Sequence, residues 1–382
     1  MDAAQCVVAQ RTQPHDGATT CGWDDPGLLR GRLNVDMEQA FAMLRNHARN
    51  DSHPRRVRVE PATRVPTQGY HHGMTGFETV RVAAVQATPV ILDAEATIDK
   101  AIDLLDEAAD DGATLIVFPE CFVSMYPSGA WAAQAATWTQ GCDELWERMW
   151  ASSIDVRGPL VDRLRMACAA RGVHLAIGIN EREDDRPGSL YNALLVIGGD
   201  GVLHRHRKLM PTMHERVFHG VGAGDDLGVV ELPGSARVGG LICWENRMPL
   251  ARWRVYEGGP QIWLAPTADD SDGWIASMRH IAIEAGAFVV SVPQFIPASA
   301  FPDDFPVALP DGVDIFGRGG ACIVSPASEV IGGPLYDAEG IVFADCDLRD
   351  ALHAKRYFDV VGHYSRADVL APSHPALPSL PS

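Results

Sequence analysis

A cysteine that follows a buried-looking strand is the best candidate for a nucleophile in this chain. Cys243 lies in the run Val238-Gly-Gly-Leu-Ile-Cys-Trp-Glu-Asn246, and the sequence predicts a strand over 238–242 and a helix over 249–257. The partial positive charge of a helix N-terminus would favour the thiolate over the thiol. Taken alone, such a cysteine is more often an ordinary core residue, so its interpretation depends on whether a base and a cation accompany it.

Two other segments could supply that base and that cation. Glu120 ends the apolar run Leu115-Ile-Val-Phe-Pro-Glu120, where partial burial should raise its pKa towards the range of a general base. The alternative for an isolated glutamate is a solvated loop position. Lys208 is one of three lysines among 32 Lys and Arg. A lysine retained in so arginine-rich a chain indicates a site that needs a compact ammonium, with chance retention as the alternative.

Six short motifs, spread over about residues 80–370, place these residues in a wider pattern. In chain order they are Val80-Arg-Val-Ala-Ala-Val-Gln-Ala-Thr-Pro89, Phe118-Pro-Glu120, Arg207-Lys-Leu-Met-Pro-Thr212, His214-Glu-Arg216, Cys243-Trp-Glu245 and Phe358-Asp-Val-Val-Gly-His-Tyr-Ser-Arg366. The set resembles the nitrilase branch of the carbon-nitrogen hydrolase superfamily. Its nitrile-hydrolysing members are similar in the residues after the cysteine, where aliphatic amidases and carbamoylases usually carry others.

The chain departs from that pattern in two places beside the predicted site. Where many nitrilases have Trp in a Glu-Arg-x-x-Trp-Gly segment, this chain has Phe218-His219-Gly220, and where many have Gly-Asp-Gly-Ser it has Gly224-Asp-Asp-Leu227. These differences concern the preference for substrate rather than the chemistry.

The resemblance implies an α/β fold, a four-layer α-β-β-α sandwich in one domain that pairs across a helical face into a homodimer and assembles into larger homo-oligomers. Alternating strand and helix patterns from Val80 onwards also favour an α/β sandwich with helices outside.

The resemblance further implies a nitrilase that converts a small organic nitrile and water to a carboxylic acid and ammonia. Glu120 would be the general base, Lys208 would stabilise the developing negative charge, and Cys243 would carry a thioimidate and then a thioester. Glu215 would position or deprotonate water, with an ion pair to Arg216 as the alternative. The mechanism needs neither a metal nor an organic cofactor.

Three aromatic residues near these motifs are candidate walls of the substrate pocket: Tyr126, Trp131 and Trp244. Aromatic side chains are more often plain core, and this alternative applies especially to Trp131.

Three other functions remain open at this point. An amidase or carbamoylase could use the same residues on a C–N amide bond with one water fewer. A catalytically silent scaffold that forms filaments would not need the intact acid, lysine and cysteine set. A Cys–His protease or acyltransferase would need His214 or His363 close to Cys243.

Composition excludes several classes of partner. The formal net charge is −18 without a basic stripe, which argues against nucleic acid and anionic membrane surfaces. No run of 18 apolar residues predicts a membrane span, and the N-terminus lacks a signal-peptide pattern. Eight cysteines without a CxxC pair indicate reduced thiols and a cytoplasmic protein.

Composition also divides the chain. Residues 1–73 contain nine Arg, no Lys and little regular pattern, which predicts a poorly ordered extension with Met74 as the true start. Residues 74–370 would form the hydrolase domain, and the proline-rich residues 371–382 a flexible tail.

Overall fold

The computed structural model describes residues 57–59, 78–137, 141–183, 185, 187–232 and 236–370. Its strands are β1 (Val57–Val59), β2 (Thr79–Gln86), β3 (Leu115–Val117), β4 (His174–Arg182), β5 (Leu190–Gly198), β6 (Gly201–Arg207), β7 (Val229–Glu231), β8 (Arg237–Gly240), β9 (Ile262–Thr267), β10 (Phe288–Pro293), β11 (Phe295–Pro297), β12 (Ile315–Val324), β13 (Val330–Tyr336) and β14 (Gly340–Asp347). Its α-helices are α1 (Ala94–Asp110), α2 (Gly129–Ala132), α3 (Cys142–Ala151), α4 (Pro159–Arg171), α5 (Pro249–Tyr256), α6 (Asp272–Ala285), α7 (Leu348–Tyr357) and α8 (Ala367–Leu370). Short 3-10 helices span Ala133–Ala136, Met213–Val217, Cys243–Arg247 and Ala298–Ala300.

The strands form two mixed sheets, each with a parallel centre. One sheet has the order β1-β14-β2-β3-β4-β5-β6, and the other has the order β11-β12-β10-β9-β8-β7 with β13 paired to β12. Strands β2, β3 and β4 run parallel, as do β8, β9 and β10. Parallel neighbours need crossover connections, and the helices α1, α4, α5 and α6 lie in those connections.

Alternate residues of each strand face opposite layers of the protein. On β2, Val82 and Ala84 pack into the core between the two sheets, whereas Ala83 and Val85 pack in the core that contains the buried faces of α1 and α4. A third core places α5 and α6 against the outer face of the second sheet. The fold is therefore a four-layer α-β-β-α sandwich, and the prediction from the sequence is confirmed.

Local sequence signals explain the outer helices. The side chain of Asp93 accepts a hydrogen bond from the N–H of Ala96 at the start of α1, a typical N-cap. Ile98, Ala101 and Leu105 then form the buried stripe of this helix.

The strand before the cysteine is shorter than the sequence predicts. The paired strand ends at Gly240, although the backbone of Ile242 is still extended, and the chain enters a 3-10 helix at Cys243. A Cβ atom on Gly240 would lie 2.1 Å from the backbone oxygen of Leu264, so only glycine allows this close approach of β8 to β9.

The predicted boundary at Met74 remains a prediction. Strand β1 lies within the segment predicted as an extension and pairs in parallel with residues Gly340–Val342 of β14. Residues 1–56 and 60–73 of that segment lie outside the described residues, as does the predicted tail 371–382. No helix within the described ranges combines the length and apolar character needed to cross a bilayer.

Candidate active site

The cysteine lies at a sharp turn between the two sheets' shared core and helix α5. Cys243 is the first residue of its 3-10 helix, with a φ of 51°, and its side chain is buried. A positive φ at a residue other than glycine costs on the order of 1–3 kcal/mol and is typical of functional positions. The hydroxyl of Thr267, at the end of β9, donates to Sγ over 3.2 Å, and the N–H of Ala268 also hydrogen-bonds the sulfur.

Glu120 follows β3 and is fully buried. Its Oε1 accepts hydrogen bonds from Lys208 Nζ at 2.8 Å and from Asn192 Nδ2 at 2.7 Å, whereas its Oε2 has no hydrogen-bond partner among the described residues. Burial raises the pKa of Glu120 to about 7; Lys208 opposes this rise, and the charge of Glu215 adds to it. One oxygen of a carboxyl that titrates near neutrality is thus available to exchange a proton.

Lys208 comes directly after β6, and its backbone N–H donates to the oxygen of Asn192 on β5 at 2.8 Å. Its side chain is 1% exposed. The ammonium contacts Oε1 of Glu120 at 2.8 Å and both oxygens of Glu215, at 2.7 and 2.9 Å. Burial alone would lower the pKa of Lys208, but the carboxylates raise it well above the usual value, so the ammonium keeps its charge.

Glu215 lies in the 3-10 helix Met213–Val217 and is also fully buried. The hydroxyl of Tyr126 donates to its Oε1 over 2.6 Å. Burial would raise the pKa of Glu215, but the charges of Lys208 and His219 and the hydrogen bonds of Lys208 and Tyr126 outweigh it and lower the pKa. Glu215 therefore stays ionised at pH values at which Glu120 can be protonated. Two acids with pKa values pushed apart in one site can take different roles.

The protein resembles known sequences over most of its length. Residues 81–356 match the family described as carbon-nitrogen hydrolase. An aliphatic nitrilase of Sinorhizobium fredii is 44% identical over 78% of this chain and 94% of its own length. Nitrilase 1 of Arabidopsis thaliana is 44% identical over 78% of this chain and 88% of its own, and the bifunctional nitrilase/nitrile hydratase NIT4A of Lupinus angustifolius is 41% identical with the same coverages.

The chain belongs to the carbon-nitrogen hydrolase family. Within it, the identity of 41–44% to these relatives places the chain in the nitrilase branch. Solved structures agree on the fold: Nit3 of Saccharomyces cerevisiae covers 75% of this chain and 96% of its own at a TM-score of 0.57 and 18% identity. XC1258 of Xanthomonas campestris, a CN-hydrolase superfamily protein, covers 74% and 96% at a TM-score of 0.57 and 18% identity.

The thiol of this carbon-nitrogen hydrolase does not have the pKa that the sequence predicts. Burial raises the pKa of Cys243 to about 12 and the charge of Glu120 adds to the rise, although Lys208, Thr267 and the N–H of Ala268 oppose it. The prediction of a thiolate favoured by a helix N-terminus is therefore wrong. The α-helix begins at Pro249, six residues after Cys243, and the groups that hydrogen-bond the sulfur are Thr267 and Ala268.

A cleft adjoins the site, and two of the three predicted aromatic walls line it. Tyr126 and Trp131 both lie there. Trp244 does not: its side chain is 42% exposed, and its Nε1 donates to Asp269 over 2.7 Å. The assignment of the Trp244 ring to the substrate pocket therefore stays a prediction.

Neither histidine required by a Cys–His mechanism hydrogen-bonds the sulfur in the described part of the chain. The ring of His214 lies edge-on to Tyr126, with 6.4 Å between ring centres, and His363 packs against Tyr364 at 5.3 Å. The hydrogen bonds to Cys243 Sγ come instead from Thr267 and Ala268.

Glu245 is an organising residue of the hydrolase that the sequence reasoning missed. It is buried and accepts hydrogen bonds from the N–H of Ile242 at 2.8 Å and the N–H of Leu209 at 2.6 Å. One carboxylate thus ties the segment before Cys243 to the segment after Lys208. Its place two residues after the cysteine was the only signal in the sequence.

His206 supports Glu245 from the other side and was also missed. Its Nε2 lies 3.0 Å from Oε2 of Glu245, and its Nδ1 lies 2.9 Å from Oδ1 of Asp226. Burial alone would lower the pKa of His206, but the hydrogen bonds and charges of the two carboxylates raise it to about 9. A protonated imidazole at this position donates to both acids. Asp226 belongs to the segment in which the sequence departs from many nitrilases.

Proposed function

We propose that the protein is a nitrilase that hydrolyses small organic nitriles to carboxylic acids and ammonia through a covalent intermediate on Cys243. The observation that carries the proposal is the buried carboxyl of Glu120, held by Lys208 through one oxygen and unpartnered at the other. Cys243 is close enough to both for their charges to change its pKa. A base, a cation and a nucleophile therefore share one buried site.

In the first step Glu120 takes the proton from Cys243 as the sulfur attacks the nitrile carbon. Because the resting thiol has a pKa of about 12, deprotonation and attack are coupled. Negative charge grows on the nitrile nitrogen, where the Lys208 ammonium and the backbone N–H of Trp244 stabilise it. Each such donor contributes about 3–4 kcal/mol in a site without water. Proton transfer from Glu120 to the nitrogen gives a neutral thioimidate.

In the later steps two water molecules are consumed. The first adds to the thioimidate carbon, and ammonia leaves once its nitrogen is fully protonated, so that a thioester remains. The second water hydrolyses the thioester to the carboxylic acid and restores the thiol. Glu215, ionised and held by Lys208 and Tyr126, is placed to position the water. Glu120 supplies the proton for the departing nitrogen, so acid should be the main product and amide a minor one.

The amidase or carbamoylase alternative uses the same residues on an amide. The assignment of nitriles as substrates is supported by the names of relatives that are 40–44% identical, among them an aliphatic nitrilase and Nitrilase 1, 2 and 3. The deciding measurement is kcat/KM for a nitrile and for its matching amide, with acid, amide and ammonia quantified. If the amide is the better substrate for every pair, the amidase alternative replaces this proposal.

The covalent role of Cys243 is tested by quenching a turnover mixture with acid and weighing the intact protein. We expect an acyl adduct that maps to Cys243 and is missing from Cys243→Ala, which should also release no ammonia. Cys322, a buried thiol of the second sheet with a pKa that burial likewise raises to about 12, gives the matched control. Cys322→Ala should keep the adduct and the activity.

We also propose that two chains pair through the outer helices and that dimers assemble further. Support comes from exposed apolar side chains on those helices, Leu250 on α5 and Ile283 on α6. Sedimentation should show a dimer or larger species, and Leu250→Glu should shift it towards the monomer. An unchanged distribution would place the interface elsewhere. The cytoplasm is proposed as the compartment, because a thiol nucleophile must stay reduced; cell fractionation tests this.

A further inference from the structure

The cleft beside the catalytic residues has a polar end and an apolar body. At the polar end lie Tyr126, which donates to Glu215, and Gln294, whose Nε2 donates to the backbone oxygen of Glu120 over 2.9 Å. Ala268, whose N–H hydrogen-bonds Cys243, lies in the same lining. The cleft thus leads to the reacting sulfur. Its body is lined by Ile91, Met125, Trp131, Ile296, Phe301 and Phe316.

Three rings of the cleft lining, Trp131, Phe301 and Phe316, form one wall and are connected by aromatic contacts through Phe305, which is not itself part of the lining. Trp131 meets Phe305 with 5.3 Å between ring centres, Phe305 meets Phe301 at 4.9 Å, and Phe301 meets Phe316 at 4.9 Å. Edge-on and tilted contacts of this kind hold rings in fixed orientations. Three of the four rings come from residues 301–316, which follow β11 and include the start of β12, so the wall depends on a segment that carries no proposed catalytic residue.

A further ring, Phe218, packs against this wall. Phe218 packs edge-on against Trp131 at 6.2 Å and lies near-parallel to Trp146 at 6.4 Å. Phe218 therefore supports Trp131, which lines the cleft.

Charge is missing from the described residues that line the cleft. An amino or carboxylate group on a substrate would lose its hydration there without gaining a counter-charge, which is strongly unfavourable. An apolar ring would instead bury surface against apolar walls and make further aromatic contacts. The lining therefore discriminates by charge as well as by size.

We propose that this cleft binds the organic group of the nitrile and selects uncharged aromatic nitriles over nitriles that carry a charged group. The inference rests on the proposed function, since it names the substrate class of the same site. Phe316 and Phe301 are specificity-determining residues in this assignment, and the nitrile end of the substrate points towards Cys243.

The test compares three nitriles: phenylacetonitrile, its para-carboxylate analogue 4-(cyanomethyl)benzoate, and propionitrile as a small aliphatic probe. We expect kcat/KM for phenylacetonitrile to exceed that for the carboxylate by about 100-fold or more, as a buried unpaired charge demands. Phe316→Ala should lower kcat/KM for phenylacetonitrile by about tenfold and leave propionitrile within about twofold, because the small probe does not reach the wall.

Two controls separate binding from folding. Phe358→Ala removes a partly exposed phenylalanine that contacts Tyr364 rather than the cleft, and it should leave all three substrates unchanged. Phe316→Leu keeps a large apolar side chain, so its kcat/KM for phenylacetonitrile should fall less than that of Phe316→Ala. Normal turnover of propionitrile shows in each variant that the catalytic residues are in place.

The outcomes distinguish this inference from the function on which it rests. Equal kcat/KM for phenylacetonitrile and its carboxylate analogue, or an equal loss for aromatic and aliphatic nitriles in Phe316→Ala, would overturn the inference and leave the nitrilase function standing. Hydrolysis of phenylacetamide without hydrolysis of any nitrile would overturn the function and the inference together.

Discussion

Two buried ionic clusters begin from neighbouring positions at the end of β6, yet only one has the features of a reacting site. The catalytic cluster comprises Lys208, Glu120 and Glu215, and the support cluster comprises His206, Asp226 and Glu245. Each joins one cation to two carboxylates, and the two cations are two residues apart in the chain, His206 near the end of β6 and Lys208 directly after it.

The clusters differ in which groups, besides the cation, donate hydrogen bonds to their carboxylate oxygens. In the support cluster backbone N–H groups complete the set: Ile242 and Leu209 donate to Glu245, and Arg207 donates to Asp226. In the catalytic cluster Oε2 of Glu120 has no such donor in the described part of the chain. A cation with two carboxylates therefore stabilises loops when backbone N–H groups hydrogen-bond the remaining carboxylate oxygens. Where no backbone N–H donates to such an oxygen, the acid can exchange protons.

The largest expected effect comes from making the same substitution in both clusters. Glu120→Gln should reduce kcat by about 10²–10⁴-fold, since an amide fills the space of the carboxyl but cannot accept the proton of Cys243. Glu245→Gln should retain activity within about tenfold. Kinetics on one nitrile measure both. Equal losses in the two variants would remove the functional distinction between the clusters.

Lys208→Arg should reduce kcat by about 10²–10³-fold while the protein folds normally. The planar guanidinium keeps the charge but cannot place it where a compact ammonium contacts both Glu120 and Glu215. Circular dichroism and thermal unfolding check the fold. Near-normal turnover would show that the shape of the cation is unimportant.

The pH dependence of the activity should report the catalytic cluster. The pKa of Glu120 is raised to about 7, and the residue acts as a base only when unprotonated, so kcat/KM should rise about tenfold per pH unit below 7 and level off above it. The residual activity of Glu120→Gln should lack this rise of kcat/KM with pH. A rise that persists in that variant would come from the titration of another group.

The pH dependence of stability should report the support cluster. The folded pKa of His206, about 9, is above its usual value of 6.5. Its contribution, roughly 3 kcal/mol, is therefore complete below pH 6.5 and is lost as pH rises through 9. Glu120 also has a raised pKa, but its contribution is lost by the time pH has passed 7. The buried thiols of Cys243 and Cys322, whose pKa values are raised to about 12, also lower stability once pH passes their ordinary value of 9. The His206 contribution is therefore measured as the difference between the wild-type protein and His206→Gln in denaturant unfolding from pH 6.5 to 9, and the variant should lose less stability over this range.

A smaller effect is expected from Glu245→Gln on stability. An amide at this position weakens the hydrogen bonds to His206 and to the backbone of Ile242 and Leu209, and it should cost about 1–3 kcal/mol of unfolding free energy. Urea unfolding at pH 7 measures the loss. No change in stability would show that these contacts do not hold the two loops together.

The smallest effect is expected from shortening the N-terminus. A chain that starts at Met74 should fold and keep full activity, because β1 lies at the opposite edge of its sheet from β6, where both clusters begin. A chain that starts at Pro54 keeps β1 and is the matched control. Loss of folding in the shorter chain alone would show that the pairing of Val57–Val59 with β14 is needed.

Parts of this protein follow from sequence because they depend on local pattern. The buried stripe of α1, the strand before Glu120 and the turn between β5 and β6 each follow from residue periodicity and turn chemistry within a few positions. The four-layer fold was implied by the resemblance of the six motifs to the nitrilase branch. The raised pKa of Glu120 was also anticipated, because an acid just past a buried strand loses its hydration wherever the rest of the chain goes.

Other features depend on residues that only the folded chain brings together. The thiol pKa of Cys243 is set by burial and by Glu120, which lies 123 positions earlier in the sequence. Trp244 faces the surface because of a turn that closes around Thr267 and Asp269. No periodicity encodes such long-range contacts.

The sequence by itself determined which residue types are available for the chemistry and which elements carry them, because strands, helices and caps are decided by neighbours in the chain. Only the tertiary structure decided that Lys208 is shared by two acids, that one oxygen of Glu120 remains unpartnered, and that a wall of rings lines the approach to Cys243. Hydration, hydrogen-bond partners and field strength are properties of the space around a side chain, and that space is enclosed only when distant segments pack together.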